Sequence, residues 1–193
     1  METVSENKTP AYNSSITHTP RLTSSEIGNL WNTYITNSLV TCIKKSFLAN
    51  VDDKDTKSLL KEALYIEIQR LRKITDIFQK ENLPIPMGFS DSEDVDLKAP
   101  QLFSDNFYLY YLICFSKFDI PLNSIRFVTS TRSDVLKFYS YCSKSFYKLF
   151  ENINNTLLSK GLYIRPPYVT TSHNIDLVKK QSFLTGFLGE KRP

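Results

Sequence analysis

FQKENLPIP (residues 78–86) and LLSKGLYIRPP (residues 157–167) write the same helix stop twice. Asn82 and Gly161 are residue types that take the left-handed conformation just past a last helical turn. Leu83 and Leu162 can then fold back onto Phe78 and Leu157, as in a Schellman motif. Pro84 and Pro86 in one stretch, and Pro166 and Pro167 in the other, forbid continuation. Gly161 follows Asn82 by 79 positions, and the same offset carries Ala63 onto Cys142, Leu71 onto Phe150, Ile74 onto Ile153 and Phe78 onto Leu157. More faintly it carries Leu30, Trp31 and Tyr34 onto Leu109, Tyr110 and Ile113. The pattern predicts two helical hairpins and is consistent with a duplicated one. Amphipathic helices slide into phase easily, so chance coincidence stays open as the other explanation.

Working outward, order is expected to begin at LTSSEI, where Thr23 and Glu26 form a capping box flanked by Leu22 and Ile27 as a hydrophobic staple. The first helix runs to about Ala49, with Ile27, Leu30, Trp31, Tyr34, Ile35 and Cys42 on one side. Asp52 or Asp53 caps the second helix, whose inner stripe is Leu60, Ala63, Leu64, Leu71, Ile74 and Phe78. PMGFSDSEDVDLKAPQLFSD then gives roughly 20 residues without periodicity. A connection of that length suits neighbouring helices that run parallel, as in ferritin-like bundles. The third helix starts near Ser104 or Asp105, and FYLYYLICF is apolar on nearly every side, which predicts burial. Pro121 is expected to kink or break it. Ser133 caps the fourth, with its stripe from Val135 through Phe146 to Leu157. The reading is all-α: a four-helix bundle (22–165) of two hairpins with a long crossover between helices 2 and 3. A flexible arm (1–21) precedes it, and a tail (166–193) with a short amphipathic turn follows.

Bulk composition agrees. Hydrophobic residues make up 41% and charged residues 23% of 193, ordinary values for one soluble domain. Five Gly against 13 Phe and 11 Tyr favour packed helices over loops. The net charge of +4 is uneven: residues 1–100 carry 12 basic against 14 acidic residues, residues 101–193 carry 12 against 6. The basic residues are scattered, without a nucleic-acid-reading motif, which argues against DNA or RNA. Cys42, Cys114 and Cys142 are too few for a disulfide framework, and no secretory signal or membrane-length apolar run is visible. Together these point to a reducing compartment.

Ferritin-like bundles raise one chemical question. Di-iron members place a Glu on each of two helices and a Glu-x-x-His on each of the others, all pointing inward. Glu67 falls in the apolar stripe of the second helix, but Arg70 stands where the His is wanted, and a guanidinium cannot ligate a cation. The equivalent positions in the fourth helix are Phe146 and Leu149. The first helix offers Ser38 and no acid beyond Glu26. The third offers Asp105 and Asp119 near its ends, and His18 and His173 lie in the tails. The expectation is no metal, no cofactor and no catalytic residue. Glu67 and Arg70 form a candidate buried polar pair, closed directly or through water, with a buried Tyr as the other partner open to Glu67.

Lesser constellations weigh less. Asp91, Glu93, Asp94 and Asp96 lack the EF-hand glycine and flanking helices, so a solvated acidic loop is the better reading than a Ca²⁺ site. The three cysteines read as small apolar core residues without a basic activator. Neither a phosphate-binding glycine loop nor a nucleophile elbow is present.

Six segments then carry a resemblance: LTSSEIGNLWNTYI, ITDIFQKENLPIPMGF, LFSDNFYLYYL, TRSDVLKFY, LLSKGLYIRPPYV and VKKQSFLTGFLGEKRP. Over residues 22–193 the chain resembles domain-of-unknown-function family 3231, a group from endospore-forming bacteria described as ferritin-like and loosely grouped with coat-F-type spore coat proteins. The resemblance implies a ferritin-like bundle and supplies no catalytic residue. Many members look like two units in tandem, whereas this chain ends where the second would begin, which implies pairing with another copy as a homodimer. The expectation is a non-enzymatic structural or interaction protein tied to sporulation or the spore coat. It would work through protein partners or self-association, in the cytoplasm or on the spore. The alternative is an oxidant-handling or redox enzyme with a reworked centre.

Overall fold

A computed structural model describes residues 20–169; the predicted N-terminal arm and most of the C-terminal tail lie outside the described residues. Five helices are present and no strand among the described residues: α1 (Ser24–Asn50), α2 (Lys54–Lys80), α3 (Asp91–Asp94), α4 (Asp105–Val128) and α5 (Ser133–Ser159). By contacts the chain divides into Met1–Tyr163, which holds all five helices, and Ile164–Pro193. In the second unit Arg165 donates to the Tyr168 hydroxyl at 2.9 Å.

Local chemistry sets the helix ends. Thr23 Oγ1 accepts from the Glu26 amide at 3.2 Å while Glu26 Oε2 accepts from the Thr23 amide at 2.8 Å, closing the capping box. Asp53 Oδ1 takes the Thr56 amide at 2.8 Å, and Ser104 starts α4. At the two stops, Asn82 has φ 53° and Gly161 φ 67°. Leu83 donates to the Phe78 carbonyl at 2.9 Å, and Leu162 to that of Leu157 at 2.8 Å. The companion bonds, Asn82 to Gln79 and Gly161 to Leu158, are both 3.1 Å, so each stop is a complete Schellman motif. A Cβ at Gly161 would meet no atom within 4 Å, so only the backbone opposes it. Gly161→Ala is expected to cost about 1 kcal/mol in urea unfolding, whereas Asn82→Gly is neutral or slightly stabilising.

Three expectations need correction. Pro121 does not break α4, which runs unbroken from Asp105 to Val128. Both Pro121 and Lys117, the residue four before it, are exposed, so the carbonyl that loses its helical donor faces water. Ser133 is not the cap of α5: Arg132 holds that position and makes no side-chain capping bond, while Glu26 from α1 accepts its backbone amide. Finally, FYLYYLICF is not buried all round; Phe107 is 40% exposed and Cys114 is exposed too. The crossover also contains the short α3, which its lack of periodicity did not announce.

End-to-end contacts fix the helix directions. Asn29 near the start of α1 meets Thr129 at the end of α4 at 3.4 Å, and Phe47 near the end of α1 stacks on Tyr108 at 4.3 Å. Those two helices are therefore antiparallel. Arg132 pairs with Glu81 at 2.6 Å and Lys160 with Asp53 at 2.8 Å, so α5 is antiparallel to α2. Trp31 near the start of α1 meets Phe78 near the end of α2, their ring centroids 6.2 Å apart, so α1 and α2 are antiparallel as well. Therefore α2 and α4 run parallel, and the chain from Glu81 to Ser104 must return the length of the helices. It does so along α1. Gly88 lies so close that a Cβ would stand 2.5 Å from Ser38 Oγ, which accepts the Phe89 amide at 3.0 Å; farther on, Lys45 pairs with Asp91.

The offset of 79 reappears in space. Shifted by it, α2 (Lys54–Lys80) covers α5 (Ser133–Ser159) end to end. Glu26 maps onto Asp105, and both carboxylates perform one task. Glu26 Oε1 accepts the amides of Thr131 and Arg132 at 2.8 and 2.9 Å, ahead of α5. Asp105 Oδ2 accepts those of Asp52 and Asp53, the equivalent positions ahead of α2, at 3.2 and 2.7 Å. The pairs Arg132–Glu81 and Asp53–Lys160 are also equivalent, with their signs exchanged.

Candidate functional site

The interior is apolar at both ends and charged in the middle. One cluster includes Phe47, Leu60, Tyr108, Phe146 and Leu157; the other includes Leu30, Ile74, Phe78, Phe138 and Cys142. Between them the helices bring in Asn37 and Lys44 from α1, Glu67 and Arg70 from α2, and Asp119 and Asn123 from α4. All six are buried, Lys44, Glu67, Arg70 and Asn123 completely.

Their geometry is a closed network. Lys44 Nζ sits 2.7 Å from Glu67 Oε1. The Arg70 guanidinium forks onto Asp119 at 3.0 and 3.2 Å, reaches Asn123 Oδ1 at 3.0 Å, and stands 3.4 Å from Glu67 Oε2. With its amide nitrogen turned to Glu67 Oε2 at 3.0 Å, Asn37 accepts from Arg70 Nε at 3.3 Å. Asn123 also donates to Asp119. Two cations thus face two carboxylates; Arg70, Glu67 and Asp119 each have two or more polar partners and Lys44 is held by Glu67, pairing of the kind under which buried charge is tolerated. Aromatic faces close the layer: Phe115 lies 4.7 Å from Lys44 Nζ and Phe146 4.9 Å from the Arg70 guanidinium carbon. Burial opposes the charge on Arg70, but the surrounding Cys142, Asp119 and Glu67 outweigh it and hold the guanidinium above its ordinary value.

The pair singled out from sequence, Glu67 and Arg70, lies together in this layer, with more partners than either a water or a tyrosine would supply. The other four members, Asn37, Lys44, Asp119 and Asn123, were missed. Asp119 was placed near a helix end because Pro121 was expected to kink or break the helix; with α4 continuous it lies mid-helix and grips Arg70. Lys44 was passed over because a lysine on an inner face runs against the usual burial order. Its signal was positional: Leu30, Thr33, Asn37, Val40, Lys44 and Phe47 recur at three- and four-residue steps and are the buried face of α1. Trp31, expected on that face, is 40% exposed.

No ligating set forms around the layer. Among the described residues no three of His, Cys, Asp and Glu converge as a metal site. A pair of metal ions does not fit this donor set, because an ammonium and a guanidinium stand among the carboxylates that would have to bind them. Neither Cys142 nor Tyr111 is primed as a nucleophile. Burial pushes the Cys142 thiol up to about 11, while burial and the Glu67 charge push the Tyr111 phenol up to about 12. Cys114, expected in the core, is exposed, and the acidic loop is partly used internally: Asp91 pairs with Lys45 and Asp94 accepts the Ser90 amide at 2.7 Å. A groove of about 590 Å³ lies apart from the charged layer, lined by residues including Leu39, Cys42, Phe89, Phe103 and Phe107. Among the described residues no helix is long and apolar enough to cross a membrane.

A crystal structure of a "putative spore coat protein" from Bacillus halodurans C-125 superposes with a TM-score of 0.71 at 19% identity, covering 79% of this chain and 98% of that one. A DUF305 fragment from Deinococcus radiodurans superposes at 0.60 with 10% identity, covering 72% of this chain and 99% of that one. At such identities the likeness is one of fold. No curated protein matches the chain. A family model does, over residues 11–175, and by it the chain belongs to the family described as "Protein of unknown function (DUF3231)".

Proposed function

We propose that the protein is a non-enzymatic structural or interaction protein on a ferritin-like four-helix bundle, associated with sporulation or the spore coat and acting through protein partners or self-association. The observation that carries the non-enzymatic part is the centre itself. Where a ferritin-like bundle gathers carboxylates and histidines for two metals, this chain gathers Lys44, Arg70, Glu67, Asp119 and two amides into mutually satisfied pairs. Each oxygen of both carboxylates is already engaged by a cation or an amide. The helix directions, with α2 parallel to α4 and a long return along α1, support the ferritin-like assignment. The likeness to the Bacillus halodurans protein, together with the family, supports the coat association.

Two measurements test the reading separately. Elemental analysis of protein purified without chelator is expected to show no stoichiometric iron or manganese; two metals per chain would replace this reading with the redox alternative. A fluorescent fusion in a sporulating endospore former is expected to gather at the forespore or coat. Signal confined to the vegetative cytosol would remove the sporulation assignment and leave the scaffold argument standing.

A further inference from the structure

The outer face of α4 is apolar from end to end. Phe107, Cys114, Phe118, Leu122, Ile125 and Val128 recur at steps of three, four or seven residues and form one stripe along the helix. Phe118 is 77% exposed, Val128 75% and Ile125 58%. Between Cys114 and Val128 the exposed residues of α4 include one charge, Lys117. The contrast with α5 is plain, because its exposed positions include Lys137, Lys144, Lys148 and Glu151. The contrast with α1, the counterpart of α4 under the 79-residue offset, is equally plain. Along α1 the crossover is laid down, with Phe89, Gly88 and Asp91 against Ser38 and Lys45.

We propose that this face is where two copies of the chain pair, α4 against α4 and antiparallel, about a twofold axis passing near Phe118 and Leu122. An isologous contact must be complementary to itself. A stripe made only of apolar side chains meets that demand, and antiparallel pairing sets the two helix dipoles head to tail. The area is sufficient. Covering the exposed parts of the stripe removes on the order of 600 Å² per copy, and the flanking rim brings this close to the roughly 800 Å² per partner of a stable interface. The inference deepens the self-association part of the proposed function and rests on that part alone.

Sedimentation equilibrium of the full chain from about 1 to 100 μM provides the test. The expected species is a dimer of the 22.3 kDa chain. Phe118→Lys or Ile125→Lys is expected to weaken pairing by on the order of 100-fold, with the helical circular dichroism and thermal unfolding of the resulting monomer preserved, because both side chains are largely outside the core. In a Cys114→Ser background, Leu122→Cys is expected to give an interchain disulfide under mild oxidation, since it lies at the axis. A monomer at every concentration overturns the proposal, whether other residues of the chain or a different protein then cover the face. A dimer that survives both lysine substitutions overturns it as well. Neither result bears on coat association, which the localisation experiment decides.

Discussion

Arg70→Met is expected to lower the unfolding free energy by about 3–5 kcal/mol, the largest single-residue effect in the molecule. The side chain is fully buried and is the hub of the charged layer, touching Glu67, Asp119, Asn123 and Asn37. Its removal leaves Asp119 in the interior with only the Asn123 amide, and leaves Glu67 with Lys44 and Asn37. An uncompensated carboxylate costs far more than the pair contributed, because both charges were desolvated to form it. A combined replacement separates scaffold from chemistry. Changing Lys44, Glu67, Arg70 and Asp119 together to Met, Leu, Met and Leu removes every charge at once and is expected to be neutral or stabilising in guanidinium titrations. Such a variant would still be helical and, on the proposed function, would still reach its location in a sporulating cell. If the combined variant folded well but lost that localisation, the layer would hold a role beyond filling the core. If Arg70→Met cost less than about 1 kcal/mol, the ion pairs would not be a closed network.

How far the sequence disclosed this arrangement depends on which residues carry each feature. The stops at Asn82 and Gly161 were legible because a left-handed residue, a following leucine and nearby prolines leave one local structure. The crossover was legible from its length and lack of periodicity. The charged layer was only half legible. Glu67 and Arg70 stand inside an otherwise apolar stripe and attract notice, whereas the buried face of α1 is built on Thr33, Asn37, Thr41 and Lys44, residue types that a hydrophobic-stripe reading assigns to the surface. That error turned the predicted inner face of α1 towards Trp31 and Ile35. Asp119 was hidden for another reason: Pro121 was expected to kink or break the helix, although at an exposed position water donates to the carbonyl that proline leaves without its helical partner. The symmetric clamps of Glu26 and Asp105 were beyond local reading altogether, since each joins residues more than fifty positions apart.

The second large effect belongs to one of those clamps. Glu26 is fully buried, and besides its own capping box it accepts the amides of Thr131 and Arg132, tying the start of α1 to the start of α5. Burial pushes its carboxyl up, but the backbone amides of Thr23, Arg132 and Thr131 prevail and bring it down from an ordinary value near 4.5 to about 2. A carboxyl depressed on folding binds its proton more weakly in the native state, so its contribution is fully present above about pH 4.5 and disappears as the pH falls through 2. The shift sets a ceiling of roughly 3 kcal/mol. Because a glutamine oxygen can still accept some of these bonds, Glu26→Gln is expected to cost about 2 kcal/mol at pH 7. The difference between wild type and variant should shrink steadily between pH 4.5 and 2, where the wild-type carboxyl itself becomes neutral. Asp105→Asn, at the equivalent but half-buried position, is expected to cost less, since water can replace part of what it supplies. Urea unfolding of the three proteins at pH 7 and pH 3 measures both quantities. A Glu26→Gln penalty that stayed constant across that range would show that the side chain acts through its shape and not its charge, and the two ends of the bundle would then owe their likeness to packing alone.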